Sequence, residues 1–183
     1  IEYQSLYDYI DYAEETGQKY CLVDFGWENW KDSSGKLDYE EKLKKLCKYA
    51  NERNVGILVW YGVKKRDGAH RVDLDNPETI EKEFAWCESL GVKGVKVDYL
   101  ESDSQWAMKD MYDIASIAAK HKLVVNYHGC TDPNGENRTF PNILSSEAVQ
   151  GSEYFKWGSG SPIETLLTLP YTRNVIGSME FTP

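Results

Sequence analysis

The sequence is short of the patterns that mark several common functions. Its 183 residues hold 4 cysteines, and Cys21, Cys47, Cys87 and Cys130 lie far apart with no Cys-x-x-Cys pair. That spacing argues against a cysteine-rich zinc module or a disulfide framework and reads as buried free thiols. Basic charge is in deficit, with 21 Lys and Arg against 30 Asp and Glu and a formal net charge of −9. Such a balance argues against nucleic acid, or insertion at an anionic membrane, as the main business of the chain. No apolar run reaches membrane length, and no signal-peptide pattern opens the sequence. Acidity leaves one possibility open, because clustered carboxylates are what a hard cation needs.

What is present is ordinary globular composition, 41% hydrophobic and 28% charged, in a length that suits one domain with a sizeable core. Aromatics reach 13%, with 13 Tyr and 6 Trp. That excess is compatible with sugar-stacking surfaces, although core packing accounts for most aromatics.

Helix-like and strand-like segments alternate. Tyr3–Glu15 reads as a helix ended by Gly17, and Tyr20–Phe25 as a strand. Tyr39–Arg53 is helical, with Leu43, Leu46, Cys47 and Ala50 on one face, and Gly56–Tyr61 is the next strand. A helix from Pro77 to Leu90, with Asn76 as N-cap, leads to the strand Gly94–Tyr99. Ser104–His121 is the next helix and Leu123–Tyr127 the fourth clear strand, with two further candidates at Ile143–Ser145 and Val175–Gly177. The strand runs are almost wholly apolar, as for strands covered on both faces. Alternation of this kind predicts right-handed βαβ units and a parallel sheet. A complete (β/α)8 barrel takes about 250 residues. The expected fold is therefore α/β, an incomplete (β/α)8 barrel over 1–183 cut from a longer polypeptide, with open sheet edges that invite self-association. His128–Asn142, rich in Gly, Pro, Asn and Asp, is expected to be a long loop of functional kind.

The informative stretch is Gly94-Val95-Lys96-Val97-Asp98-Tyr99. Alternation puts Lys96 and Asp98 on the same face, with Asp98 at the carboxyl end of a buried strand. A Lys-x-Asp pair alone is more often a structural ion pair. Other polar groups should gather at the same rim: Asp24 and Trp27 after the first strand, Asn126 and His128 after the fourth, and Arg138, Glu147 and Glu153 beyond. Each has a bland alternative: a turn cap for Asp24, a satisfied core histidine for His128, a loop tie for Arg138, a solvated helical face for Glu147 and Glu153. Their convergence favours an enzyme over a binding module.

Several strings make the resemblance specific. They are LVDFGW, GVKVDYLESD, NYHGCTDPNGENRTFPNILSSEAVQGSEY and TLPYTRNVIGSMEFTP. In order and over nearly the whole chain, they resemble the catalytic barrel of glycoside hydrolase family 97. In that family the inverting, α-glucosidase-like branch carries a glutamate base directly after the histidine and lacks the strand aspartate. The retaining, α-galactosidase-like branch has the reverse. Asp98 together with Gly129 matches the retaining pattern at both positions.

The resemblance implies Asp98 as nucleophile and Glu153 as general acid/base in cleavage of terminal α-galactosides with retention. Asp24, Trp27, Lys96, His128 and Arg138 are implied for the sugar hydroxyls, and Glu147 and Glu153 for a calcium ion. Calcium is expected in the full-length enzyme rather than in this stretch alone, because the family's ligand set includes a glutamate from an N-terminal β-sandwich domain. Phe25 stands where many relatives carry Glu, and Glu164 where relatives often carry His. Related readings are α-glucosidase or β-L-arabinopyranosidase activity, or an inactive carbohydrate-binding fragment. The implied partner is an oligosaccharide or polysaccharide, with no nucleic acid and no membrane insertion. The implied location is bacterial, periplasmic or secreted.

Overall fold

The computed structural model describes residues 2–63 and 72–182. Five parallel strands form one sheet in chain order: β1 (Tyr20–Val23), β2 (Gly56–Gly62), β3 (Gly94–Asp98), β4 (Val124–Tyr127) and β5 (Ile143–Ser146). Helices α1 (Ser5–Thr16), α2 (Tyr39–Asn51), α3 (Pro77–Leu90) and α4 (Gln105–Lys120) alternate with the first four. Consecutive parallel strands joined by helices make the arc of an incomplete (β/α)8 barrel. Local chemistry sets the helix ends: Asn76 accepts the Thr79 N–H at 2.9 Å ahead of Pro77, and Ser104 accepts from Ala107 N–H at 3.4 Å. Among the described residues, no helix is long and apolar enough to cross a membrane.

The two faces of the sheet differ. Val59, Tyr61, Val95, Val97, Val125 and Tyr127 are fully buried against the helices, with Leu43, Leu46, Phe84, Met111 and Ile114. Tyr61 donates its hydroxyl to Glu83 of α3, and Tyr127 donates to the Met111 carbonyl of α4. The alternate residues line the inner face of the arc. There Trp60, Lys96, Asn126 and Ser145 stand side by side in register, one rung below the carboxyl rim. The uniformly apolar appearance of the strands thus reflects a sealed helix side and a mixed inner side.

After β4 the expected long loop contains one turn of helix, α5 (Glu136–Thr139). The candidate strand at Val175–Gly177 is corrected. Arg173–Val175 form a 3-10 turn, and the chain pairs with β5 slightly later, where Ser146 bridges Met179. Buried Arg173 fixes that shift by donating to the Gly177 carbonyl at 3.0 Å and the Ser146 carbonyl at 2.6 Å. A further short helix, α6 (Ile163–Thr168), lies between.

Gly94 opens β3 where backbones approach closely. A Cβ there would lie 2.6 Å from the Val124 carbonyl oxygen and 2.5 Å from Val124 Cγ2. Gly94→Ala is expected to destabilise the fold by about 1–3 kcal/mol through overpacking, read as a lowered urea midpoint at unchanged slope.

Candidate active site

The carboxyl ends of the strands deliver polar side chains to one rim. Lys96 is buried and donates to Asp24 Oδ2 at 3.0 Å. Burial works against its charge, but contact with the Asp24 carboxylate holds the ammonium above the ordinary lysine value. Asp98 receives different donors. The Tyr99 N–H reaches its Oδ1 at 2.7 Å, and the Trp60 indole N–H reaches Oδ2 at 3.2 Å. Trp60 is 2% exposed and is held edge-on by Phe25 and Tyr99. Two donors on two oxygens fix the rotamer of this carboxylate while leaving lone pairs free on each.

Directly beside Asp98 runs the backbone of Gly129. Its φ is +52°, and a Cβ there would stand 3.1 Å from Asp98 Oδ1 and 3.5 Å from Tyr99 N. A side chain at 129 would thus be strained by the left-handed backbone and tight against the Asp98 carboxylate. The adjacent His128 is buried between three glutamates. Its Nδ1 lies 2.6 Å from Glu180 Oε2 and 3.6 Å from Glu147 Oε2, and its Nε2 lies 3.1 Å from Glu153 Oε1. Burial opposes charge on the imidazole, but the Glu180 hydrogen bond and the Asp98 and Glu147 charges raise its pKa overall. Burial likewise pushes the Glu180 carboxyl up, yet bonds from His128 and Thr182 bring it below the ordinary value. Glu147 goes the other way. Burial dominates and raises its pKa, although the Gly129 N–H donates to Oε2 at 2.8 Å.

Several expected residues therefore converge: Asp24, Lys96, Asp98, His128, Glu147 and Glu153. Two do not. Trp27 is 1% exposed, stacks on Trp86 of α3 and donates its indole N–H to the Trp60 carbonyl at 2.9 Å. It is a core residue that braces Trp60, because Gly26 at φ +94° turns the chain out of strand alternation. Arg138 is exposed on α5 and makes no hydrogen bond or ion pair with the described site residues. Two groups were missed. Trp60 carried a signal, since it shares its rung and face with Lys96. Glu180 lies in a string whose likeness was plain but whose strand offset was not.

His128, Glu147 and Glu180 also have ligand atoms within 4.8 Å of one another, a spacing that a single metal ion can bridge. Glu153 stands outside that trio, on the opposite ring nitrogen. A cavity of about 460 Å3 opens on this region, against Glu101, Gly129, Glu147 and Tyr154. Among the described residues a slightly larger one, about 500 Å3, lies between α2 and α3 at Cys47, Lys48, Gly91 and Lys93 and touches none of these groups.

Residues 1–149 match the family model described as glycoside hydrolase 97. The chain belongs to glycoside hydrolase family 97. It is 40% identical over 179 residues to a Streptomyces bingchenggensis protein named probable retaining alpha-galactosidase, covering 96% of this chain and 26% of that protein. It is 37% identical over 177 residues to the retaining alpha-galactosidase of Bacteroides thetaiotaomicron, covering 95% of this chain and 25% of that one. Among solved structures, a beta-arabinopyranosidase superposes with a TM-score of 0.81 at 34% identity, over 98% of this chain and 29% of that one. The chain thus spans about a quarter of the length of the curated family 97 relatives it matches.

The pH dependence of stability follows from the His128 and Glu147 shifts. A raised histidine pKa contributes stability that is fully present below the unfolded value of 6.5 and is lost as pH rises through the folded value. Raised Glu147 acts in the same direction from 4.5 upward, whereas lowered Glu180 contributes above 4.5 and loses that contribution on acidification. With divalent cations chelated, the urea midpoint should fall between pH 6 and 8, and His128→Gln should flatten that fall. An unchanged slope in the variant would contradict the assignment.

Proposed function

We propose that this chain forms the nucleophile-bearing part of a retaining α-galactosidase. The observation that carries the reading is the close approach of Asp98 to Gly129, whose left-handed backbone favours glycine. Asp98 is held as an acceptor by the Tyr99 and Trp60 N–H groups, and no side chain at 129 occupies the space in front of it. In this reading Asp98 attacks the anomeric carbon while Glu153 protonates the departing glycosidic oxygen. Glu153 then takes the proton of the incoming water as the glycosyl ester is hydrolysed, restoring both groups. His128, bonded to Glu153 Oε1, fixes the orientation of the acid. Lys96 and Asp24, paired at the rim, supply a donor and acceptors for sugar hydroxyls.

Calcium belongs to the proposal through the carboxylates of this chain. Glu147 is 4% exposed and its Oε1 has no hydrogen-bond partner, which fits an oxygen kept for a hard cation. Glu147 and Glu180 would hold the ion, with Glu153 nearby. Since Ca2+ takes about 6–8 oxygens, water and other parts of the polypeptide would complete the shell. A bound ion would neutralise these carboxylates and hold them in place. Calcium is expected to raise the melting temperature of the full-length protein, and Glu180→Gln to diminish that increase. A calcium-independent melt would count against the site.

The likeness to a beta-arabinopyranosidase favours one neighbouring specificity. That pentose shares the C4 configuration of galactose and lacks its C6 group, so a nitrophenyl-glycoside panel separates the two. A secreted or periplasmic location accords with an oligosaccharide or polysaccharide substrate.

In the full-length protein, Asp98→Ala should lower kcat on the order of 10^4-fold. Azide should restore part of the turnover as a glycosyl azide of inverted configuration. Wild-type product observed by NMR at early times should keep the α configuration. A β product, or full activity in Asp98→Ala, would remove the nucleophile assignment.

A further inference from the structure

The mechanism uses Glu153 but not the aromatic side chains on the same turn. Ser152–Trp157 form a 3-10 helix that carries Glu153, Tyr154 and Trp157 together. Three aromatics stand out of it, with Tyr154 37%, Phe155 57% and Trp157 66% exposed. Phe155 is spoken for, since its ring covers the backbone of Gly160 so closely that a Cβ there would lie 2.1 Å from Cδ1. Tyr154 and Trp157 remain, packed edge to face with centroids 5.6 Å apart at 82°.

Their place is defined by more than exposure. Tyr154 lines the cavity of about 460 Å3 that Glu101, Asp103, Gly129 and Glu147 also line. That volume falls in the roughly 300–1,000 Å3 range of small-molecule sites. The Tyr154 hydroxyl is pushed above its ordinary pKa by burial first, then by the charges of Glu147, Glu153, Glu101 and Asp98. The ring thus follows Glu153 directly in the chain and lines the same cavity as Gly129 and Glu147.

The turn itself is anchored. The Glu153 N–H donates to the Thr182 carbonyl at 3.3 Å, and Gly151 packs against Thr182. Gln150 and Ser161 bind each other across the base of the loop, and Gln150 also reaches the Ser159 carbonyl. Glu153 and its neighbouring rings therefore hold a fixed relation.

A general acid protonates the oxygen of the leaving group, so the leaving sugar must lie beside it. A pyranose presents an apolar C–H face, and an exposed aromatic ring next to the acid is what such a face packs on. We propose that Tyr154, supported by Trp157, is the stacking platform for the leaving-group sugar. Preference for a glycosidic over a small inorganic leaving group then resides in this turn, whereas Asp24, Lys96 and Asp98 act on the sugar that is transferred. This inference rests on Glu153 being the acid/base.

The test compares two substrates of the full-length protein. α-Galactosyl fluoride has no sugar in the leaving-group position, whereas a galactosyl-α-1,6-glucose disaccharide does. Tyr154→Ala should lower the ratio of kcat/KM for disaccharide over fluoride roughly tenfold, with KM for the disaccharide rising. Tyr154→Phe, which keeps the ring, should preserve the ratio. Trp157→Ala, at an exposed position, provides a second variant if Tyr154→Ala folds poorly and should lower the same ratio by a few-fold. An equal loss on both substrates would overturn the platform and make Tyr154 part of the chemical machinery. An unchanged ratio in both alanine variants would also overturn it, leaving these rings as a surface for other protein. Failure of the wild type to hydrolyse the fluoride would instead remove the galactosidase reading, and the inference with it.

Discussion

The parallel register between β3 and β4 sets where Lys96, Asp98 and His128 stand. Lys96 pairs with Asn126 and Val97 with Tyr127, so Asp98 and His128 leave the sheet at the same height. The Val97 carbonyl takes the His128 N–H at 2.8 Å, and the Gly129 carbonyl takes the Glu101 N–H at 2.6 Å. These backbone bonds carry the pairing past the end of the sheet and press Gly129 against the Asp98 carboxylate. A slip of one residue would turn Lys96 and Asp98 into the helix layer, where Val95 and Val97 have no exposed surface.

That contact gives a physical reason for the alternation of residues between the two branches the family resemblance describes. A Cβ at 129 would meet Asp98 Oδ1 at 3.1 Å. A glutamate after His128 and an aspartate at the end of β3 would also place two negative charges in one poorly solvated volume, which raises the free energy of both ionised forms. Either carboxylate would act on the face opposite the leaving group, the strand aspartate by direct attack and the glutamate through a water that needs more room.

How much could be read in advance depended on whether a residue sits inside a regular element. Lys96 and Asp98 were legible because strand alternation fixes their face, and Asp24, His128, Glu147 and Glu153 because specific strings placed them at or after strand ends. Trp27 was misread because alternation stops at Val23 and the left-handed Gly26 sends the next side chain into the core. Glu180 was missed for a related reason. Its position depends on the Arg173 clamp on the Ser146 and Gly177 carbonyls, a long-range contact with no local pattern. Trp60 was readable in principle, since a register with Lys96 would have put its indole on the inner face, but register belongs to the pairing of strands rather than to either strand alone.

The charge balance of the cluster connects these observations. Asp24, Asp98, Glu147, Glu153 and Glu180 face Lys96 and His128, and Lys96 is already matched by Asp24. One imidazole is shared by the carboxylates around it, and burial raises the pKa of Glu147, whose Oε1 has no hydrogen-bond partner. Burying such an excess is unfavourable unless positive charge arrives from outside. Two sources fit the geometry at different places. A hard cation would relieve the Glu147–Glu180 side, and the oxocarbenium-like centre of a reacting sugar would relieve Asp98. In the proposed reaction, positive charge developing at the anomeric carbon would be met by Asp98, which is the condition for stabilising a transition state more than the substrate that precedes it.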